Sequence, residues 1–316
     1  MEISLITPAA KRSKSGNRTT ANRWQRILAG LGHRVRVAES YDGAPADMMV
    51  ALHAWRSAES ITQFRARYPN RPLVVALTGT DIYRFQESHP EITRRSMEMA
   101  DWLVCLHDRV EQDIPAAFGA KLTVAPQSAK PLPRPRRPAR RHFDICVIGH
   151  LREEKDSLRT AYAVRDLPPD SRLRVIHLGK AHDGRWARDA RAEMDRNPRY
   201  LWRGEVPGWG VRREFGKTHL MVISSIMEGG ANVVSEALVA GVPVIASDIS
   251  GNIGLLGENY AGYYPVKDTE GLRSLLVRAA GDPAFLRDLE RQCRVLAPRF
   301  TPENESAAWK SVLDRF

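Results

Sequence analysis

Short apolar runs alternate with amphipathic stretches along almost the whole chain. The strand-like runs are ISLIT, RVRVA, DMMVALH, LVVALTG and WLVCLH in a first series, and FDICVIGH, RLRVIHLG, YLWRG, HLMVISS and PVIAS in a second. Short apolar runs that are separated by helix-like patterns are typical of parallel strands in βαβ units. We therefore predict an α/β protein with two doubly wound, Rossmann-like domains.

A proline- and arginine-rich run separates the two series. It reads KPLPRPRRPARRH and spans residues 130–142. Its prolines exclude a recognition helix and favour a stiff, solvated linker. The predicted divisions are a first domain at residues 1–128, the linker at 129–142, a second domain at 143–298 and a C-terminal helical segment at 299–316.

The composition fits a soluble protein of two domains. The chain has 316 residues, of which 43% are hydrophobic and 27% are charged. No run reaches the ~18 apolar residues of a membrane helix, and the first residues do not resemble a signal peptide. The three cysteines are scattered and lack metal-binding spacing. We therefore expect a cytoplasmic protein with reduced thiols and no membrane partner.

The net charge of +11 raises the question of a nucleic-acid partner. The charge is densest in the proline-rich run, and no zinc finger, heptad or aromatic RNA-binding signature accompanies it. We therefore predict no nucleic-acid partner, and the excess charge is expected to steer small anions towards a cleft.

Ligands of doubly wound sheets bind beyond the carboxyl ends of the strands. The first strand is not followed by GxGxxG, and the chain contains neither GxxxxGK[ST] nor a DxD pair of aspartates. These absences argue against a dinucleotide and weaken a metal-bridged nucleotide site. We expect no cofactor and a metal-independent site.

One stretch has the pattern of a nucleotide-sugar site. Residues 224–247, SSIMEGGANVVSEALVAGVPVIAS, predict a strand end, a glycine pair, a helix and a strand. A helix N-terminus after glycines suits a phosphate, whereas Glu228 and Glu236 suit hydroxyl diols. The alternative is a helix-capping Glu228 and a surface Glu236.

This stretch resembles the EX7E motif of GT-B glycosyltransferases that use nucleotide sugars. The resemblance implies two Rossmann-like domains that face each other across a cleft, with the C-terminal helix returning to the first domain. Glu228 would contact the transferred hexose as a catalytic residue, and Glu236 would hold the ribose of the nucleotide. The backbone that would face the diphosphate or the sugar comprises Gly229, Gly230, Ala231, Asn232 and Val233.

A second match is GHLREEKD at residues 149–156, which resembles the family's GRLxxEKG loop. Lys155 falls on the lysine that neutralises the departing diphosphate. His150 replaces the family's arginine, and Arg152 is a candidate to supply the missing charge. WRGEVP lies where the family reads the base, which makes Val206 a candidate for uracil contact.

The first domain resembles the selenosugar synthases of selenoneine biosynthesis. The resemblance is carried by SGNRTTANRWQRILAGLGHRVRV, DMMVALHAWRSA and LVVALTGTDIY. It implies transfer of a hexose from UDP-N-acetylglucosamine or UDP-glucose to selenophosphate, held by a basic loop at a helix N-terminus. Thr19 and Thr20 are candidates to cap that helix. The implied acceptor-binding residues are Lys14, Gly16, Asn17, Arg18, Thr19, Thr20, Thr78 and Gly79.

Two further polar residues lie at strand ends of the first domain. His53 is a candidate to position the acceptor phosphate, and Asp81 is a candidate to contact the sugar. Packing and turn capping are the alternatives for these two residues.

Two other functions fit parts of the pattern. The first is an ordinary hexosyltransferase with a hydroxyl acceptor, which predicts an apolar or diol-binding acceptor cleft. The second is a non-catalytic protein that binds nucleic acid or sugar nucleotides, for which the net charge is the main support.

Overall fold

The computed structural model describes residues 1–11, 13 and 15–316. Contacts divide the chain into two units. The first unit contains residues 1–128, 228–232 and 302–316, and the second contains residues 129–227 and 233–301. Each unit contains a six-stranded parallel sheet. The predicted fold class, two doubly wound α/β domains, is confirmed.

The sheet of the first unit has the strand order β2-β1-β3-β4-β5-β6. Its strands are β1 (Glu2–Ile6), β2 (Arg34–Ala38), β3 (Met48–Leu52), β4 (Leu73–Ala76), β5 (Trp102–Cys105) and β6 (Leu122–Val124). The helices between them are α1 (Gly16–Gly30), α2 (Ala58–Arg67), α3 (Gln86–Ser88), α4 (Pro90–Met99) and α5 (Val110–Asp113), with a π-helical turn at Asp81–Phe85 and a 3₁₀ turn at Ala116–Lys121. The central strands are buried on both faces, as expected of a parallel sheet covered by helices.

The sheet of the second unit has the strand order β12-β11-β10-β7-β8-β9. Its strands are β7 (Phe143–Ile148), β8 (Leu173–Leu178), β9 (Tyr200–Trp202), β10 (Leu220–Ile223), β11 (Val244–Ser247) and β12 (Tyr263–Tyr264). Its helices are α6 (Arg159–Ala163), α7 (Gly184–Arg196), α8 (Gly208–Phe215), α9 (Asn232–Val239), α10 (Ser250–Leu256), α11 (Thr269–Gly281) and α12 (Pro283–Leu296), with 3₁₀ turns at Glu153–Lys155 and Ala297–Phe300.

The last helix, α13 (Pro302–Leu313), packs in the core of the first unit. Trp309 is fully buried against Trp24 of α1, with the ring centroids 4.7 Å apart and the ring planes at 69°. Val312 and Leu313 continue the same apolar stripe into this core. Burial of these three side chains fixes the helix to α1 and the sheet.

Two segments lie elsewhere than the sequence indicated. Residues 228–232, which we expected within the second domain, make their contacts with the first unit. The proline-rich run, which we expected to be a solvated linker, lies along the second unit. There the guanidinium of Arg136 donates hydrogen bonds to the carbonyl oxygens of Thr218, His219 and Gly241. The carbonyl of Gly241 follows the C-terminus of α9, where a helix dipole attracts a cation.

All ten predicted strand-like runs contain strands, but the chain also forms β6 and β12. These two strands have three and two residues and lie at sheet edges. Neither LTV nor YY stands out as an apolar run in the sequence, which explains why they were missed.

Among the described residues, no helix combines the length and the apolarity needed to cross a membrane.

Candidate functional site

The loop of residues 228–232, which contains the glycine pair, packs against the turn of residues 78–79 in the first unit. A Cβ atom on Gly229 would lie 2.3 Å from the backbone nitrogen of Gly79, and one on Gly79 would lie 2.6 Å from the backbone nitrogen of Gly229. Gly79 also has φ +125°, which side-chain-bearing residues rarely adopt. We expected these glycines to let the backbone approach a ligand. The close approach is to protein backbone instead, and it fixes the loop that begins at Glu228.

Asp81 shapes the turn on which Gly79 lies. Its carboxylate is completely buried and accepts hydrogen bonds from the backbone amides of Thr78 (3.0 Å), Gly79 (2.7 Å) and Ala54 (3.1 Å). These contacts correspond to the capping alternative for Asp81. The residue therefore acts on the site by holding residues 78–79 in place.

His53 is also buried and hydrogen-bonded within the protein. Its Nδ1 accepts from the amide of Arg56 (3.1 Å), so Nε2 carries the proton and donates to Thr80 Oγ1 at 2.8 Å. Burial lowers the pKa of His53 from its ordinary value, although nearby Asp81 opposes this shift. The imidazole is therefore neutral and fixed, which corresponds to the packing alternative.

The start of α1 lies beside Asn232 in the first unit. A Cβ atom on Gly16, the first residue of α1, would lie 4.0 Å from Nδ2 of Asn232. The start of α1 carries amide groups without intrahelical acceptors, and the helix dipole presents a partial positive charge there. The arrangement suits an anion.

The cap of α1 differs from the one that we predicted. Ser15 accepts from the amide of Arg18 and is the N-cap, whereas Thr19 and Thr20 lie in the second turn of the helix. Thr20 is buried and its hydroxyl contacts the side-chain amide of Gln127, so it serves the fold; Thr19 is exposed. The predicted acceptor residue Lys14 lies outside the described residues.

Arg18 is the most unusual residue of this region. It is only 7% exposed, and its Nε has no hydrogen-bond partner among the described residues. A buried N–H donor without a partner is costly, because its desolvation is not repaid. An anion bound beside the helix N-terminus would repay it. Asn17, the next residue towards that end, is half-buried.

The loop of residues 149–156, which contains Lys155, is hydrogen-bonded to the residues that follow β10. Ser224 Oγ donates to the carbonyl oxygens of Lys155 and Asp156, each at 3.0 Å, and the amide of Ile226 donates to the carbonyl of Glu154 at 2.9 Å. Lys155 is half-buried beside Gly149 and lines a small cavity at the carboxyl ends of β7 and β10. The loop is thus fixed to the strand that leads to Glu228.

His150, which replaces the family's arginine, is half-buried, and its Nδ1 accepts from the amide of Lys180 at 3.1 Å. Burial lowers its pKa, and the charges of Arg152, Lys155 and Lys180 lower it further. A neutral His150 cannot replace the arginine's charge. These cations therefore supply the positive potential at this end of the sheet.

Four of the remaining predicted donor residues have half-buried side chains near helix starts. Glu228 precedes α9 by four residues, Glu236 lies one turn inside it, and Val233 lies at its start. Ala231 is buried. Val206 follows β9 and lies just before α8.

Among residues 1–11, 13 and 15–316, no group of three or more His, Cys, Asp or Glu side chains is arranged to hold a metal ion.

Comparison with known proteins finds a family match in the second part of the chain. Residues 133–278 match the family described as "Glycosyl transferases group 1". This segment is therefore similar to group 1 glycosyltransferases. The chain is also 26% identical, over 165 residues, to the Escherichia coli UDP-Gal:alpha-D-GlcNAc-diphosphoundecaprenol alpha-1,3-galactosyltransferase. That match covers 49% of this chain and 41% of the galactosyltransferase, so it spans about two fifths of the relative's length.

Solved structures with the same fold cover the whole chain. The sucrose-phosphate synthase of Thermosynechococcus elongatus superposes with a TM-score of 0.82 at 15% identity, covering 99% of this chain and 98% of its own. HepE of Anabaena, solved with UDP and glucose, has a TM-score of 0.77 at 14% identity and full coverage of both chains. The chain therefore has the GT-B fold.

The matched segment, residues 133–278, does not contain all of the residues around the 228–232 loop. Glu305 of α13 is completely buried and accepts from both Arg23 Nε (2.8 Å) and Trp24 Nε1 (2.8 Å). Arg23 in turn donates from Nη1 to Asn232 Oδ1 at 2.8 Å. Sequence reasoning missed Arg23 and Glu305, because 282 residues separate them and a charged residue in a helix usually faces solvent.

Proposed function

We propose that this protein is a glycosyltransferase that transfers a hexose, GlcNAc or Glc, from a UDP-sugar to selenophosphate. The observation that carries the donor half is the group 1 match over residues 133–278, within which Glu228 and Glu236 flank the N-terminus of α9. HepE, which has the same fold, was solved with UDP and glucose, and the Escherichia coli relative is named for a UDP-sugar donor.

The proposed donor contacts follow from charge and position. The carboxylate of Glu228 accepts hydrogen bonds from the hexose hydroxyls, and that of Glu236 accepts them from the ribose diol. The backbone of residues 229–233 and the start of α9 face the diphosphate. Val206 contacts the uracil.

Departure of UDP places negative charge on its terminal phosphate. Lys155 and Arg152 stabilise this charge, because His150 is neutral and Lys155 is held in place by the contacts of its loop with Ser224. Preorganised cations of this kind commonly provide the largest share of catalysis. The proposed reaction requires neither a metal nor another cofactor.

The proposed acceptor site is formed by residues of the first unit. Arg18 is 7% exposed and its Nε has no hydrogen-bond partner among the described residues, in the first turn of α1, whose first residue lies beside Asn232. A compact dianion such as selenophosphate satisfies both features. Gly16 and Asn17 provide amides at the same end of α1. Thr78 and Gly79 form the neighbouring turn, which Asp81 holds.

The proposed chemistry is a substitution at the anomeric carbon. Selenium of selenophosphate attacks C1, the C1–Se bond forms, and the bond from C1 to the diphosphate oxygen breaks with release of UDP. Water then cleaves the Se–P bond, which yields inorganic phosphate and a 1-seleno sugar for selenoneine biosynthesis. Because selenium is already anionic, the attack does not require a strong general base.

Mass spectrometry of the products tests this function. Purified protein is incubated with UDP-GlcNAc or UDP-glucose and with selenophosphate or thiophosphate. We expect a 1-seleno or 1-thio sugar and UDP in equal amounts, with unchanged yield after addition of EDTA. Release of UDP without a selenium- or sulfur-containing sugar would contradict the proposed acceptor, and loss of turnover with EDTA would contradict metal independence.

A hydroxyl acceptor is the second candidate. The Escherichia coli relative is named for transfer to a saccharide on diphosphoundecaprenol. Transfer to glycosides in the same mass-spectrometric assay, without use of selenophosphate or thiophosphate, would favour this candidate.

A further inference from the structure

We propose that the side-chain amide of Asn232 binds the acceptor anion and that Arg23 and Glu305 position it for this purpose. This inference rests on the proposed function, because it assumes a phosphate-like acceptor at the N-terminus of α1. It assigns the side chain of Asn232 to the acceptor, whereas the family motif implies only a backbone role on the donor side.

The orientation of the Asn232 amide is fixed by its neighbours. Arg23 Nη1 donates to Oδ1 of Asn232 at 2.8 Å. Gln127 satisfies Thr20 and Arg23 when its carbonyl oxygen faces them, and its NH2 group then donates to Asn232 Oδ1 at 3.0 Å and to the carbonyl of Gly230 at 2.8 Å. Because Arg23 and Gln127 both donate to this oxygen, the opposite orientation of the Asn232 amide, which would place Nδ2 there, is excluded.

The Nδ2 group of Asn232 is therefore directed to the start of α1. It lies 4.0 Å from the position of a Cβ atom on Gly16. The Gln127 group 3.2 Å from Nδ2 is the NH2 group in this orientation, so it offers Nδ2 no acceptor. Glycine at position 16 leaves space beside this donor, and an anion bound there receives hydrogen bonds from Asn232 and from the amides of α1.

Arg23 is itself fixed by a completely buried carboxylate. Glu305 accepts a bifurcated hydrogen bond from Arg23 Nε, at 2.8 and 3.0 Å to its two oxygens, and hydrogen bonds from Trp24 Nε1 and Ser128 N, each at 2.8 Å. These four contacts hold the carboxylate in a single orientation. Arg23 is thus a positioning residue, since its charge is paired with Glu305 and its Nη1 orients Asn232.

Asn232→Asp is the primary test. The variant keeps the shape of the side chain and the acceptor oxygen for Arg23, but it replaces the donor with an anionic oxygen. We expect calorimetry on the full chain with UDP present to show at least tenfold weaker thiophosphate binding and a clearly smaller loss of UDP affinity, because the added charge also lies at the start of α9. Asn22→Asp, which places the same charge on an exposed position of α1, is the control and should change neither affinity more than twofold.

Three results would overturn the role of Asn232. These are unchanged thiophosphate affinity in Asn232→Asp, equal losses for thiophosphate and UDP, and a parent chain that binds no thiophosphate. Turnover measured in parallel separates this inference from the proposed function. A parent and a variant that use thiophosphate with the same KM remove the inference alone, whereas a parent that uses only hydroxyl acceptors removes the proposed function.

A double-variant cycle tests the positioning role of Arg23. A lysine at position 23 cannot keep the hydrogen bonds to both oxygens of Glu305 and to Oδ1 of Asn232 at the same time. We therefore expect Arg23→Lys to weaken thiophosphate binding at least fivefold and to have no further effect in the Asn232→Asp background. Additive losses in the double variant would show that Arg23 acts independently of Asn232 and would overturn its positioning role.

Discussion

Arg18 combines deep burial with an Nε that has no hydrogen-bond partner among the described residues. Its neighbours on α1 differ in this respect, since Arg23 is paired with Glu305 and Arg26 is exposed. Stability alone would favour an apolar side chain at position 18. Retention of the charge is consistent with selection for binding at the expense of stability.

Replacing Arg18 by Met should therefore separate stability from function. We expect Arg18→Met to raise the free energy of unfolding by about 1 kcal/mol, because a buried donor without a partner is removed. The KM for thiophosphate should rise at least tenfold, while the KM for the UDP-sugar should change little. Arg26→Met is the matched control on the same helix. Equal rises in both KM values would argue against an acceptor role for Arg18.

His150 gives the site a testable dependence on pH. Burial and the charges of Arg152, Lys155 and Lys180 lower its pKa below 6.5, so it is neutral at pH 7. Protonation below that pKa adds a positive charge, and a bound diphosphate favours the protonated form. The affinity for UDP-glucose should therefore rise as the pH falls from 7 to 5.5.

His150→Gln checks the origin of this dependence. Glutamine retains an acceptor for the amide of Lys180 but does not titrate. Calorimetry with UDP-glucose should show a shallower pH profile in the variant than in the parent. Identical profiles would assign the dependence to another group.

At the scale of elements, the crossing of two glycine turns fixes the 228–232 loop. The contact joins the turn after β4, which Asp81 holds, to the segment between β10 and α9. Each backbone occupies the space that a Cβ atom of the other would fill. The glycines are therefore needed for packing of the protein chain as well as for turn geometry.

Gly79→Ala should displace this loop. Its Cβ atom would lie 2.6 Å from a backbone nitrogen of Gly229, so one of the two turns must move, and Glu228 moves with it. We expect a loss of about 2 kcal/mol in the free energy of unfolding and at least tenfold weaker UDP-sugar binding.

Gly43→Ala is the control for Gly79→Ala. Gly43 also has positive φ (+80°), but no atom lies within 4 Å of its added Cβ. This variant should show the backbone cost of about 1 kcal/mol and unchanged UDP-sugar binding. Similar losses of binding in the two variants would show that the contact with Gly229 is not what matters.

The sequence predicts the elements of this fold better than it predicts their contacts. Alternating apolar runs are local, so the ten strand-like runs and the strand–glycine–helix pattern around Glu228 could be recognised. The partner of Gly229 could not, because Gly79 is 150 positions earlier and no local pattern joins them. For the same reason the contacts of Arg136 in the predicted linker could not be recognised: the carbonyl oxygens that bind it come from distant parts of the second unit.

For the whole molecule, the end of the chain completes the first unit. α13 supplies Trp309 to the core against Trp24 and supplies Glu305 to Arg23. Removal of α13 exposes the apolar face of α1 and leaves Arg23 without its carboxylate. Loss of a buried tryptophan alone costs about 3–5 kcal/mol, which is a large part of the stability of a typical domain.

Truncation after Thr301 should therefore unfold the first unit. We expect circular dichroism to show loss of its helices at 25 °C, and we expect UDP-sugar turnover to vanish, because residues 228–232 lose the unit against which they pack. Removal of Phe316 alone is the control, since this residue is exposed and lies beyond α13; it should leave the melting temperature within about 1 °C of the parent. A chain ending at Thr301 that melts at the parent's temperature would mean that α13 contributes little to the first unit, despite the burial of Trp309.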